Sequence, residues 1–170
     1  IGGGESQAMR LVARTARAMQ ARYPGVRYHL YSGNADDVGE RLDKGLLDFG
    51  IIIEPFDHKK YDSLRLLTAD RWGVLMRRDS PLARLDFIRP EDLLDKPLLH
   101  SRQSRIREGI QNWFGCDIDA LNIVGTYNLL FNASLMVEEG VGYALCLDGL
   151  INTTGDSRLC FRPLSGQQPA

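Results

Sequence analysis

Apolar residues recur at helical spacing through Met9, Val12, Ala13, Ala16 and Met19. A helix is therefore expected over 6–22, with Ser6 as its N-cap and Tyr23-Pro24-Gly25 as its stop. Before it, Ile1-Gly2-Gly3-Gly4 reads as a strand end running into a turn. After it, Val26-Arg27-Tyr28-His29-Leu30 alternates with period two, as a half-buried strand does. Gly33-Asn34 turns the chain, and a second helix opens at Asp36 or Asp37 and ends at Lys44-Gly45. Phe49-Gly50-Ile51-Ile52-Ile53 is wholly apolar, the pattern of a central parallel strand covered on both faces. This alternation of strand and helix implies a parallel sheet with right-handed crossovers.

Two further strands are expected near Ser63–Ala69 and Arg71–Arg77, then a short helix at Arg89–Leu94 with Pro90 at its start. Pro97-Leu98-Leu99-His100 reads as a strand leaving a first lobe. The cycle then restarts with a helix near Ser104–Phe114, a strand near Asn122–Thr126, a helix over Leu129–Glu139 and a strand at Gly142–Leu147. Arg158–Leu164 alternates again and is expected to carry the chain back. The simplest assembly is α/β: two Rossmann-like lobes with a central cleft, joined by two crossing strands. The expected division is 1–97 for the first lobe, 98–157 for the second, and 158–170 for the return strand.

Composition narrows the function classes. The 170 residues carry 21 Lys+Arg against 22 Asp+Glu, a net charge of -1. A domain that grips nucleic acid alone needs a basic excess to neutralise phosphates, and this chain has none. The three cysteines, Cys116, Cys146 and Cys160, show neither CxxC nor metal-ligand spacing. They are expected as reduced, mostly buried small residues in a cytoplasmic protein, with a redox pair as the sharper alternative. No apolar run approaches a membrane span and no signal peptide is visible. Opening on Ile1 and ending on Gln167-Gln168-Pro169-Ala170, both ends read as cuts through a larger protein.

An ordered series of short motifs resembles the effector-binding domain of LysR-type transcriptional regulators. The series is Ile1-Gly2 followed by Ser6; Tyr23-Pro24-Gly25-Val26; Leu42 to Gly45 with Leu47-Asp48-Phe49-Gly50-Ile51; Asp79-Ser80-Pro81-Leu82-Ala83; Glu91-Asp92-Leu93 before Pro97-Leu98; and Val137 through Gly142. The resemblance implies the type 2 periplasmic binding-protein-like fold, a small-molecule effector in the cleft, and self-association as a dimer or tetramer. It also implies DNA contact only through a winged helix-turn-helix absent from this chain. The chain departs from the family pattern at Val12-Ala13-Arg14 and at Leu147-Asp148-Gly149, where proline is common. The strand and helix that usually complete the first lobe at its carboxyl end do not follow.

In such a fold a ligand meets the loops at the carboxyl ends of parallel strands and the helix starts they feed. Gly4, Glu5 and Ser6 form the first such loop, and Asn34 stands at the second. Ser101-Arg102 and Thr126-Tyr127-Asn128 are the equivalent polar clusters in the second lobe. Each has a plainer role open to it: Ser6 and Asn34 as caps or turn residues, Arg102 as a surface arginine. Arg102 suits a carboxylate, and Glu5 beside an arginine suits a zwitterion. Glu54 and Asp148 are weaker candidates. Arg10, Arg14 and Arg17 share a face of the first helix, and Asp36, Glu40 and Asp43 run along the second. Such stripes are usually solvated faces, although a dimer interface would use part of them.

An enzyme would need a constellation of groups. His29, His58 and His100 are scattered, and Gln7 stands where a dinucleotide fingerprint needs glycine. Catalytic residues, cofactors and metals are not expected. The rivals to a regulator's sensor are a transporter's solute-binding protein and, further off, an enzyme on the same scaffold.

Overall fold

The computed structural model describes residues 1–54, 57, 59–66 and 70–166, the side chains of Ser104 and Arg105 excepted. His58 and the carboxyl-terminal residues 167–170 therefore lie outside the described residues, as does the end of the strand expected at Ser63–Ala69. By contacts the chain divides into two compact units, Ile1–Asp70 and Arg71–Ala170.

The first unit holds β1 (Gly2–Gly3), α1 (Met9–Arg22), β2 (Tyr31–Ser32), α2 (Ala35–Asp43) and β3 (Gly50–Ile51). The three short strands are parallel in the order β2-β1-β3, so the expected strand–helix alternation produces a parallel sheet. Glycines let α2 and the loop after it come close to it. A Cβ on Gly2 would stand 2.4 Å from Leu47 Cδ1, and one on Gly50 would stand 2.7 Å from Leu42 Cδ1. Val38, fully buried on α2, lies against both positions.

Two expectations shift here. The second strand forms at 31–32 and not at 26–30, because its only partner among the described residues is the two-residue β1: Tyr31 donates to the carbonyl of Ile1, and Gly33 to that of Gly3. The central strand is β1, and the apolar run 49–53 supplies an edge strand whose Phe49 is 67% exposed. Residues 63–66 form no strand.

The second unit holds β4 (Trp72–Arg77), β5 (Leu98–Ser101), α3 (Ser104–Phe114), β6 (Ile123–Tyr127), α4 (Leu130–Glu138), β7 (Tyr143–Leu147) and β8 (Leu159–Pro163). Their sheet order is β6-β5-β7-β4-β8, with β5 parallel to β6 and β7, and β4 antiparallel to β7 and β8. Period-two alternation sends Val74, Met76, Leu98, Leu145 and Cys160 to one face, under α3 with Ile110 and Phe114. The same alternation sends Leu75, Leu99, Ala144, Cys146 and Leu159 to the other face, under α4 with Leu130, Ala133 and Val137. Each fully buried Val, Leu, Ile or Met side chain among them contributes roughly 1.5–3 kcal/mol.

This sheet places the unit boundary at residue 70, where the sequence suggested 97. The segment 71–97 enters the second unit because β4 is a wholly paired interior strand there, and β8 closes beside it.

Cys146 and Cys160 lie on opposite faces of the sheet, on strands separated by β4. Two strand spacings of roughly 4.8 Å exceed the ~7 Å Cα separation that a disulfide spans. Burial also pushes the Cys160 thiol up, away from reactive thiolate. Peroxide treatment is thus expected to form no Cys146–Cys160 disulfide. A non-reducing peptide map carrying that cross-link would contradict the sheet placement.

Candidate functional site

In the first unit, two loops at the carboxyl ends of parallel strands lie side by side. Gly33 donates to the carbonyl of Gly3, and a Cβ on Gly4 would sit 3.7 Å from the carbonyl oxygen of Gly33. These contacts bring Gly4, Glu5, Ser6 and Asn34 into one neighbourhood. Asn34 is buried and its Oδ1 accepts from the backbone N–H of Asp37, capping α2 as a short polar side chain can. Its amide nitrogen has no partner among the described residues.

Ser6 precedes the helix by more than a capping position, since α1 begins at Met9 with Ala8 as its cap. Its Oγ accepts from the N–H of Ala8 at 2.9 Å and donates to Asp70 Oδ2 at 2.6 Å. Asp70 is the residue that sequence reasoning missed. Nothing local marks it, because its partner stands 64 positions away. Glu54, a weaker candidate, forms an exposed ion pair with Arg65.

In the second unit, β5 and β6 run parallel with Ser101 opposite Tyr127 and His100 opposite Thr126. Arg102 N–H extends the ladder to the carbonyl of Tyr127. Ser101, Arg102, Thr126, Tyr127 and Asn128 are thereby gathered at one sheet edge. Their side chains differ in freedom. The Tyr127 hydroxyl reaches across β5 to the carbonyl of Leu145 at 2.5 Å, and Asn128 Oδ1 accepts from Leu129 N–H. Ser101 is buried, whereas Thr126 and Arg102 are exposed. The Arg102 guanidinium has no partner among the described residues, so its fork of donors is open to a planar anion.

His100, beneath this edge, is buried at 5% exposure, and its Nδ1 donates to the carbonyl of Ser101 at 2.6 Å. Burial holds its protonation below the ordinary imidazole value of 6.5. The unfolded chain therefore takes up this proton more readily than the folded one. The stability is complete above the ordinary value, begins to fall as pH drops through it, and is fully lost below the lowered native value. Thermal unfolding from about pH 7.5 to about 5 should show a falling Tm that flattens in His100→Asn. An unchanged slope in that variant would assign the acid sensitivity elsewhere.

Among the described residues no group of three or more His, Cys, Asp or Glu is placed to hold a metal ion. An open cavity of about 510 Å³ lies in the second unit between residues 77–79 and 155–158. Its arginines are engaged: Arg77 with Asp79, Arg78 with the carbonyls of Thr153 and Gly155, and Arg158 with Glu138 and Glu139. Arg77 and Arg158 mark the end of β4 and the start of β8, whereas the gathered polar residues lie where β5 and β6 end. The antiparallel register puts these at opposite edges of the sheet.

The sequence matches the LysR substrate binding domain family over residues 1–170. YvbU of Bacillus subtilis (strain 168), described as an uncharacterized HTH-type transcriptional regulator, is 27% identical over 124 residues, 73% of this chain and 41% of that protein. HinK, a LysR family transcriptional regulator from Pseudomonas aeruginosa, has the same fold at a TM-score of 0.73 and 16% identity, covering 99% of this chain and 60% of its own. The C-terminal domain of a probable LysR family regulator from Rhodococcus sp. RHA1 matches at a TM-score of 0.72 and 18% identity, with 100% of this chain and 85% of that domain covered. This chain thus spans less than half of YvbU and about three-fifths of HinK. At such identities the solved structures establish the fold.

Proposed function

The chain belongs to the LysR substrate-binding domain family, and from that premise we propose that it senses a small polar metabolite on behalf of a transcriptional regulator. The observation that carries this reading is the gathering of polar residues where parallel strands end: Gly4, Glu5, Ser6 and Asn34 in one unit, and Ser101, Arg102, Thr126 and Asn128 in the other. Backbone N–H groups at such positions suit polar ligand groups. The effector bears a carboxylate for Arg102, as a simple acid or as a zwitterion. Binding, not turnover, is its role, and DNA contact falls to a helix-turn-helix domain beyond this sequence, in keeping with the balanced charge. As in a cytoplasmic regulator, the ligand acts by its difference in affinity for two states of the protein.

A thermal-shift panel of small carboxylates, amino acids and sugars tests the reading. A ligand at a hundredfold over its Kd adds about 2.7 kcal/mol to the folded state. Hits abolished by Asn34→Ala or Arg102→Ala support the site. A hit indifferent to both places the effector elsewhere.

Self-association is the second part of the proposal. Arg14 and Arg17 stand exposed on α1 and have no ion-pair partner among the described residues. Reversing both to glutamate should weaken dimerisation by up to about thirtyfold, since exposed charges contribute less than ~1 kcal/mol each. Unchanged sedimentation would remove α1 from the interface.

A further inference from the structure

A ligand approaching the carboxyl end of β1 would be offered the Ser6 hydroxyl and the N–H of Gln7, but both already serve another group. Ser6 Oγ donates to Asp70 Oδ2 at 2.6 Å, and Gln7 N–H donates to Asp70 Oδ1 at 3.3 Å. One carboxylate thus bridges a hydroxyl and a backbone amide with both its oxygens. This is how the start of a helix receives an anion, except that here the anion is the chain's own. The bridge is sheltered, because Ser6 is 8% exposed. Glu5 adds a second carboxylate to the same loop. The cation one turn along, Arg10, is engaged with Gln7 Oε1.

Given the sensor reading above, we infer that Asp70 determines the charge class of the effector group that meets this loop. It fills the anion position ahead of α1 with a negative charge of the chain's own. An anionic ligand group would have to displace a carboxylate held by two hydrogen bonds. A group that donates, an ammonium or a hydroxyl, meets acceptors instead. The effector therefore presents a donor to the 4–7 loop, and a carboxylate, where it has one, is directed to other donors such as Arg102.

The test uses sodium sulfate and succinate as bare anions, titrated at constant ionic strength while the backbone amides of residues 5–9 are followed by NMR. In the unaltered chain these amides should show no saturable response. In Asp70→Ala they should show saturable binding at least about tenfold tighter than in the unaltered chain, about 1.4 kcal/mol. Asp70→Asn, which keeps an acceptor for Ser6 while dropping the charge, should gain in the same direction but less, and guards against loss of fold in the alanine variant. Asp36→Asn, which removes an equal charge from the exposed start of α2, should gain nothing. Sulfate or succinate binding to these amides in the unaltered chain would overturn the inference, as would an Asp70 variant no better than Asp36→Asn. The titration needs no effector, so its failure is separable from failure of the sensor reading, which rests on the metabolite panel.

Discussion

Replacing Gly73 with valine should remove a large part of the stability of the second unit. Gly73 is a buried residue of β4, flanked by Cys146 of β7 and Pro163 of β8, so the strand has no room to shift sideways. A Cβ there would stand 2.1 Å from Phe161 Cζ and 2.4 Å from the carbonyl oxygen of Arg162. The ring could rotate away at the expense of its packing, but the carbonyl is backbone and cannot. Overpacking commonly costs about 1–3 kcal/mol where side chains give way. A clash with a paired strand should exceed that, at about 4 kcal/mol or more, against a total of roughly 5–15 kcal/mol for a typical domain. Urea denaturation followed by circular dichroism reads the loss. Gly109 makes the contrast: it lies within α3, and a Cβ there meets nothing within 4 Å. Gly109→Ala should stabilise by about 0.5–1 kcal/mol. A Gly73→Val protein as stable as the parent would mean that β4 is not the interior strand described.

The second large effect concerns binding with stability held constant. Arg102→Ala should weaken the effector ten- to a hundredfold and leave the unliganded Tm nearly unchanged. The side chain is exposed and unpartnered among the described residues, so its removal strands no buried group and stability should move by less than about 0.5 kcal/mol. A charge-assisted hydrogen bond to a carboxylate is worth about 1.5–3 kcal/mol, which is the predicted loss in affinity. Arg102→Lys keeps the charge but loses the planar fork, and should fall between the two. Calorimetry with a panel hit decides. Equal affinities in all three proteins would make Arg102 a surface arginine.

The helices were legible because their signals are local. The helix expected near 104–114 forms as α3, and the helix expected to open at Asp36 or Asp37 begins at Ala35, with Asn34 as its cap. The strands expected at Gly142–Leu147 and Arg158–Leu164 form at 143–147 and 159–163, where the apolar run 143–147 packs into both faces of the sheet. The strands of the first unit were harder to read. Val26–Leu30 alternates well but has no partner strand long enough to pair with, and Phe49 looks like core yet stands at an edge. Pairing is a property of two segments, and only one of them was being read.

The candidate site divides in the same way. Sequence alone placed Ser6, Asn34, Ser101, Arg102 and the 126–128 cluster at strand ends, since the order of strand and helix dictates where those ends fall. It also indicated the family, through motifs strung in order along the whole chain. Which polar groups remain available was decided by tertiary contacts: Asn34 Oδ1 is taken by its helix, the Tyr127 hydroxyl by Leu145, and the Ser6 hydroxyl by Asp70. The unit boundary at residue 70 was decided there too, by the two neighbours of β4. Periodicity and turn chemistry act over a few residues and are written in the chain. Hydrogen-bond partners and strand neighbours drawn from 18 to 90 positions away exist only once the backbone has brought them together.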